Sequence, residues 1–89
     1  MSVISKMKVS QVSKSEYGTE VYMHPVYEDQ GVNKAWNEAT PGGSVHMHIS
    51  KGKPAAEQFA LGDEFYVAFY KKDELPSDLR AAVESFEKV

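Results

Sequence analysis

The amino-acid sequence predicts one small α+β domain over residues 1–89, rich in strands: a curved antiparallel sheet or partly open barrel with a short helix and a C-terminal helix. Residues 44–50 and 64–70 alternate apolar and polar side chains without interruption, which is the period of a strand with one buried face. After residue 74 the apolar side chains recur every three or four positions, as they do along one face of a helix. Eighty-nine residues leave room for only one core.

Two further strands are predicted near the N-terminus, over residues 6–14 and 20–27. Gly18 tolerates a positive φ in the turn between them, and the short spacing predicts a hairpin. Val12 falls out of phase with the apolar residues before it, so we expect a bulge in the first strand. Pro25 cannot donate a ladder hydrogen bond, so the second strand either lies at an edge or ends there.

Residues 28–41 show no period and hold glycine, asparagine and proline, so they predict a surface loop. Pro54 suits the first position of a short helix that runs to residue 59, and a second helix is predicted over residues 78–87. Its apolar stripe, formed by Leu79, Ala82, Val83 and Phe86, must dock on the sheet or on a partner chain. Four strands are few for a closed barrel, so either the 28–40 region adds a strand or subunits complete the sheet. The predicted core comprises Met7, Val9, Val45, Met47, Ile49, Phe59, Phe65, Val67, Phe69 and Phe86.

Composition excludes several classes of protein. The chain has no cysteine, which excludes a disulfide framework and a thiolate metal site. No stretch approaches the roughly 20 apolar residues that span a bilayer, so we expect no membrane partner. The first 53 residues hold six lysines and five acidic residues, whereas residues 54–89 hold four basic and eight acidic residues. This acidic balance argues against binding of extended nucleic acid but leaves a small anionic ligand possible.

The histidines are weak candidates for chemistry. His46 and His48 lie two apart on a predicted strand and so share one face, about 7 Å apart. With His24 they would give three zinc ligands, but no acidic ligand or fourth position is evident, so we predict no metal site and no cofactor. No serine or carboxylate lies in a recognisable catalytic context, so no catalytic residue is predicted.

The loop before the third predicted strand is the candidate ligand site. Trp36 is the only tryptophan, and it has Lys34 beside it and Thr40, Gly42 and Gly43 a few residues later. An indole stacks on planar rings, and a lysine with backbone N–H groups of a glycine turn can hold an anion. The alternatives are that Trp36 packs in the core and that Gly42 and Gly43 form a plain turn.

Six segments carry a resemblance to a known family. In order they are K-S-E-Y-G, P-V-Y, N-K-x-W, T-P-x-G-x-V-x-M-x-I, A-A-x-x-F and G-x-E-F-Y-V-x-F. Over roughly residues 6 to 70 the chain resembles a family of small β-rich proteins encoded by tailed bacteriophages. The resemblance implies a phage protein in the host cytoplasm, and it carries over no active-site residue. The family pattern closes soon after its last strand and lacks His46 and His48, so the C-terminal helix is a special feature of this chain.

We therefore expect a non-enzymatic binding module. In the first hypothesis it sequesters a small nucleotide-like ligand, such as a host defence signal, through Trp36, Lys34, Thr40, Gly42 and Gly43. In the alternative it is a structural or host-factor inhibitor protein that acts through oligomerisation or through its C-terminal helix. We expect a homo-oligomer in either case, because a core of this size is marginal.

Overall fold

The computed structural model describes residues 3–27, 31–37 and 42–87. Its strands form one curled antiparallel sheet, a half-barrel with the order β3-β2-β1-β4. The strands are β1 (Val3–Ser15), β2 (Gly18–Pro25), β3 (Val45–Ser50) and β4 (Glu64–Phe69), and the helix is α1 (Ser77–Glu87). Short 3₁₀ helices lie at Val32–Ala35, Pro54–Gln58 and Lys72–Glu74. The predicted fold class is confirmed, although the short helix after Pro54 is 3₁₀ and the described part of the 28–40 region adds no strand.

A bulge in β1 keeps one face of this long strand apolar. Val9 pairs with Met23 and Val12 pairs with Val21, so β1 holds one residue more than β2 between these pairs. The extra residue is Ser10, because the register shifts there. Val9 and Val12 consequently both face the concave side although they lie three residues apart, which a regular strand does not allow. The bulge predicted from the phase of Val12 is confirmed.

The hairpin between β1 and β2 requires glycine at its turn. Gly18 has φ +150°, and a Cβ at this position would lie 2.3 Å from the carbonyl oxygen of Ile49 on β3. Pro25 ends β2, which is an inner strand of the sheet. The expectation that the strand ends at this proline is confirmed, and the alternative of an edge strand is not.

The core lies on the concave face of the sheet. Its buried side chains are Met7, Val9, Val21, Met23 and Ile49, and Val12, Val45, Ala56, Phe59, Phe65 and Val67 pack against them in partly buried positions. The prediction was wrong for Met47, Phe69 and Phe86, which are 37%, 56% and 80% exposed. Alternation placed the first two on the apolar face correctly, but they lie at its rim, where no described segment covers them.

Helix α1 buries none of its described residues. Its stripe residues Leu79 and Val83 are 43% and 38% exposed, so the described residues leave much of the stripe uncovered. The radius of gyration is 15.0 Å, against about 12 Å for a compact chain of this length. The chain is flat and open, and it leaves apolar surface on both the sheet and the helix.

The concave face offers a matched pair of methionines for testing the core. Met23 is 3% exposed and Met47, on the neighbouring strand, is 37% exposed. We expect Met23→Ala to lower the free energy of unfolding by about 2–5 kcal/mol, because it leaves a cavity in the centre of the core. Met47→Ala should cost clearly less, since much of its side chain already contacts water. Urea denaturation of both variants at one protein concentration measures the difference. Equal losses of unfolding free energy would mean that Met47 is as well covered in solution as Met23.

Candidate functional site

Asn33 fixes the loop that carries Trp36 onto the sheet. Its Oδ1 accepts a hydrogen bond from the Lys6 backbone N–H at 2.8 Å, and its Nδ2 donates to the carbonyl oxygens of Lys6 at 3.0 Å and Val26 at 2.8 Å. The Asn33 carbonyl in turn accepts from the backbone N–H groups of Trp36 and Asn37. Asn33 is only 7% exposed. One carboxamide therefore replaces the strand partner that β1 loses where β2 ends, and it places the indole beside the concave face.

Trp36 closes one end of an apolar cleft on this face. The cleft has a volume of about 270 Å³, near the lower end of the range for small-molecule sites. We call it the Trp36 cleft; its lining residues are Val3, Ser5, Met7, Trp36, Gly42, Gly43, Ser44, Val45 and Phe69. A Cβ at either glycine would meet no other atom within 4 Å, so the glycine wall is open to an incoming group. This shape suits a flat ring lying on an apolar floor.

Two buried polar atoms of residues that line this cleft have no hydrogen-bond partner within the part of the chain that the structure describes. They are Ser5 Oγ and Trp36 Nε1, and they are the buried side-chain nitrogen and oxygen atoms without a partner among the described residues. Ser5 itself is 2% exposed. An unpaired buried polar atom costs on the order of 1–3 kcal/mol, and such atoms are few in folded proteins. Both residues line the cleft, so the two atoms mark it as a candidate site for polar contacts beyond those that the described residues make.

The structure brings together only part of the predicted ligand site. Trp36, Gly42 and Gly43 line the same cleft, whereas Lys34 does not line it. The Lys34 ammonium lies 5.8 Å from the centre of the Tyr27 ring. Thr40 falls outside the described residues. The sequence analysis missed Ser5, because a serine at an inward position of an alternating strand gives no signal of its own.

The convex face carries a second polar arrangement, on β2 and β3. The Glu20 carboxylate bonds to His46 Nε2 through one oxygen and to His48 Nδ1 through the other, the latter at 2.8 Å. Because an ionised carboxylate only accepts, both ring nitrogens carry their proton toward it. The His46 ring stacks on Tyr22 with the ring centres 4.3 Å apart and the planes 3° from parallel. We call these four side chains the Glu20 clamp, since it joins β3 to β2.

The acidic partner of the two histidines is Glu20, which sequence analysis missed. His46 and Glu20 lie 26 positions apart, and a long connection joins their strands, so no local turn reveals the register. His24 is engaged elsewhere, with Nδ1 2.6 Å from Ser10 Oγ. Within residues 3–27, 31–37 and 42–87, no three histidine or acidic side chains form a group that could hold a metal ion.

Hydrogen bonds from the clamp lower the pKa of Glu20. The bond from His46 is the largest cause and the bond from His48 is the next, and they outweigh the effect of desolvation, which raises the pKa. Glu20 therefore stays ionised at a pH somewhat lower than an ordinary glutamate does. Its side chain is partly exposed, so the clamp orders an edge strand and adds little to the stability of the whole chain.

A shallower groove lies on the convex side of the sheet and has a different character. Its volume is about 590 Å³, and its lining includes Lys8, Ser10, His24, Tyr27 and Glu64. The Lys6 ammonium lies 3.4 Å from the Glu64 carboxylate, which partly neutralises this side of the sheet. The groove holds neither Trp36 nor a glycine of the predicted loop.

Comparison of the chain with protein-family models, with curated proteins and with solved structures finds no match. Among the described helices, none combines the length and the apolar character needed to cross a bilayer. A function for the chain is therefore proposed from the geometry of the site.

Replacing Asn33 tests whether one side chain holds the Trp36 loop. We expect Asn33→Ala to lower the free energy of unfolding by on the order of 3 kcal/mol, because the part-buried Lys6 N–H and Val26 carbonyl lose their partner. Trp36 emission should shift to the red as the indole loses its cover. Asn33→Asp is the matched control: it keeps the shape and the acceptor but loses both N–H donors, so it should also destabilise. A folded Asn33→Ala protein with unchanged emission would show that the loop is held by other contacts.

The Glu20 clamp predicts a specific dependence of stability on pH. The pKa of Glu20 in the folded chain lies below its ordinary value of 4.5, so its stabilising effect is complete above about pH 4.5 and is lost as the pH falls through the lowered pKa. The difference in free energy of unfolding between the native chain and Glu20→Gln should be constant above this range and shrink below it. Denaturation of both proteins from neutral pH to pH 3 measures it. A difference that first shrinks near neutral pH would assign the dependence to other groups.

Proposed function

We propose that this protein is a non-enzymatic binding module that sequesters a small planar, nucleotide-like ligand in the Trp36 cleft. The observation that carries the proposal is the pairing of an apolar slot with two partnerless buried polar atoms, Ser5 Oγ and Trp36 Nε1. The resemblance to phage proteins supports a setting in the host cytoplasm, where the ligand would be a host defence signal.

Each wall of the cleft has a part in binding. The Trp36 indole offers a face for stacking and an N–H that donates to a ring acceptor. The Ser5 hydroxyl donates or accepts at the floor of the cleft. Gly42 and Gly43 leave the opposite wall low enough for an anionic tail to approach backbone N–H groups. No lysine is among the described residues that line the cleft, so recognition depends on the ring more than on the charge.

The ligand test follows the emission of Trp36, the only tryptophan, during titration with mono-, di- and cyclic nucleotides. We expect saturable quenching by one of them. Gly42→Leu should abolish it without unfolding the chain, because Gly42 has no positive φ and its Cβ would meet open space. His24→Ala, in the convex groove, is the matched control and should leave binding unchanged. Binding that is lost in His24→Ala and kept in Gly42→Leu would move the site to the convex groove.

Ser5→Ala separates a binding role from a structural one. In the free protein it removes an unpaired buried hydroxyl, so the free energy of unfolding should stay equal or rise by about 1 kcal/mol. Affinity for the ligand should fall at the same time. A stability loss with unchanged affinity would contradict the proposal.

The exposed stripe of α1 favours a second candidate, an inhibitor that docks this helix on a host protein. The described helix holds Asp78, Glu84 and Glu87 against Arg80, so it would suit a basic surface. Absence of any response to nucleotides would favour it. Native mass spectrometry would then find a host protein bound to the native chain. The Trp36→Ala variant should still bind this protein, and the Phe86→Ser variant should not.

A further inference from the structure

The outer edge of β4 is open. In the sheet order β3-β2-β1-β4 this strand has a neighbour on one side only. The backbone N–H and C=O groups of Lys6 on β1 point toward β2, where they bond to Asn33 and Val26. The neighbouring β1 residues Ser5 and Met7 therefore point their backbone groups toward β4.

The same alternation identifies the backbone groups at the open edge. Ser5 pairs with Val67 and Met7 pairs with Phe65, so these β4 residues bond to β1. Tyr66 lies between Phe65 and Val67, and Ala68 follows Val67. The backbone groups of Tyr66 and Ala68 therefore point away from β1, toward the open edge. No described residue pairs with them as a strand.

The sequence of β4 does little to protect this edge. Natural edge strands are protected by charged side chains, especially lysine, by proline, by bulges or by short length. Glu64–Phe69 holds no lysine, proline or glycine, and its single charge, on Glu64, lies at the first residue of the strand. Its rim also exposes apolar side chains: Tyr66 is 68% exposed, Phe69 is 56% exposed and Val3, opposite Phe69 on β1, is 48% exposed.

We propose that two copies of this chain pair their β4 strands antiparallel about a two-fold axis at Val67, which joins the two sheets into one of eight strands. In this register the outward backbone groups of Tyr66 meet those of Ala68 of the second copy, as a hydrogen-bonded pair requires. On the concave face, Phe65 of each copy lies opposite Phe69 of the other copy, which gives two aromatic pairs. Val67 lies opposite Val67 of the second copy. Aromatic pairs at such positions stabilise sheets.

A second copy fits this edge because the strand is complementary to itself. An interface about a two-fold axis places the same patch on both sides. The outward N–H and C=O groups of each β4 therefore meet the C=O and N–H groups of the other. The two Glu64 carboxylates fall at opposite ends of the junction, about 20 Å apart at the strand rise per residue, so they do not repel at contact distance. The edge alone buries less than the roughly 800 Å² per partner of a stable interface.

The stripe of α1 supplies the remaining area. Residues 70–76 join α1 to the end of β4, so this uncovered helix, about 16 Å long, emerges beside the junction. Leu79, Val83 and Phe86 are exposed in the single chain and would pack across the joined edges. The dimer needs no ligand, because its hydrogen bonds are made by the outward backbone groups of β4. Phe69 belongs to both sites, since it lines the Trp36 cleft and also lies on the concave face of the junction.

Sedimentation equilibrium tests the dimer, and a pair of double variants tests the register. The native chain should sediment as a dimer. Tyr66→Glu with Ala68→Glu places like charges opposite each other in two places, so it should be a monomer. Tyr66→Glu with Ala68→Lys changes the same two exposed positions but places opposite charges across the junction, so it should remain a dimer. Far-UV circular dichroism establishes that both variants are folded.

Hydrogen exchange on the native protein gives a readout that needs no substitution. The backbone amides of Tyr66 and Ala68 have no strand partner among the described residues of the single chain, so their protection should appear in the dimer and disappear on dilution. Three results would overturn the proposal: a native chain that is monomeric at every concentration, a dimer that persists when glutamate stands at both positions, or amides of Tyr66 and Ala68 that exchange freely in the dimer.

Discussion

The carboxamide of Asn33 is the interaction on which the site depends. It lies where β2 stops and β1 continues, and it supplies one acceptor and two donor hydrogens to backbone groups there, so the Lys6 N–H and the Val26 carbonyl do not stay unpaired. The same residue anchors the turn that ends in Trp36. A loop of this length would otherwise hold its only indole loosely. A single side chain thus ties the edge of the core to the wall of the cleft.

The two faces of the sheet divide the chemistry of the chain between them. The concave face holds the core at its centre and partnerless polar atoms at the Trp36 end. The convex face is polar, and several of its titratable groups have partners: Glu20 contacts two histidines, His24 contacts Ser10 and Lys6 contacts Glu64. Groups that satisfy one another have little left to offer a ligand. The unsatisfied groups lie on the apolar side, which is why the candidate site lies there.

Periodicity predicted which face of each strand is apolar, but not how much of that face is covered. Val45 and Ile49 were placed inward correctly, and so were Met47 and Phe69, yet the last two lie at an open rim. A stripe on α1 likewise shows that the helix has an apolar side and says nothing about what packs there. Trp36 was found because an indole is unusual in a polar loop, and Gly42 and Gly43 were found because they form the turn that precedes β3. Asn33, 27 positions from Lys6, was not, because its partners lie far away along the chain.

The extra residue at Ser10 has a consequence for how this chain can vary. In a regular strand, two residues on the same face are separated by one residue or another odd number. Val9 and Val12 are separated by two residues, so they share a face only because of the bulge. Loss of that one residue would turn half of β1 inside out, exposing either the valine that pairs with Met23 or the one that pairs with Val21. A substitution at the exposed Ser10 would remove its hydroxyl contact with His24, whereas a deletion there would change which face every following residue of β1 presents. An alignment that opens a gap at this point would join strands whose faces do not correspond.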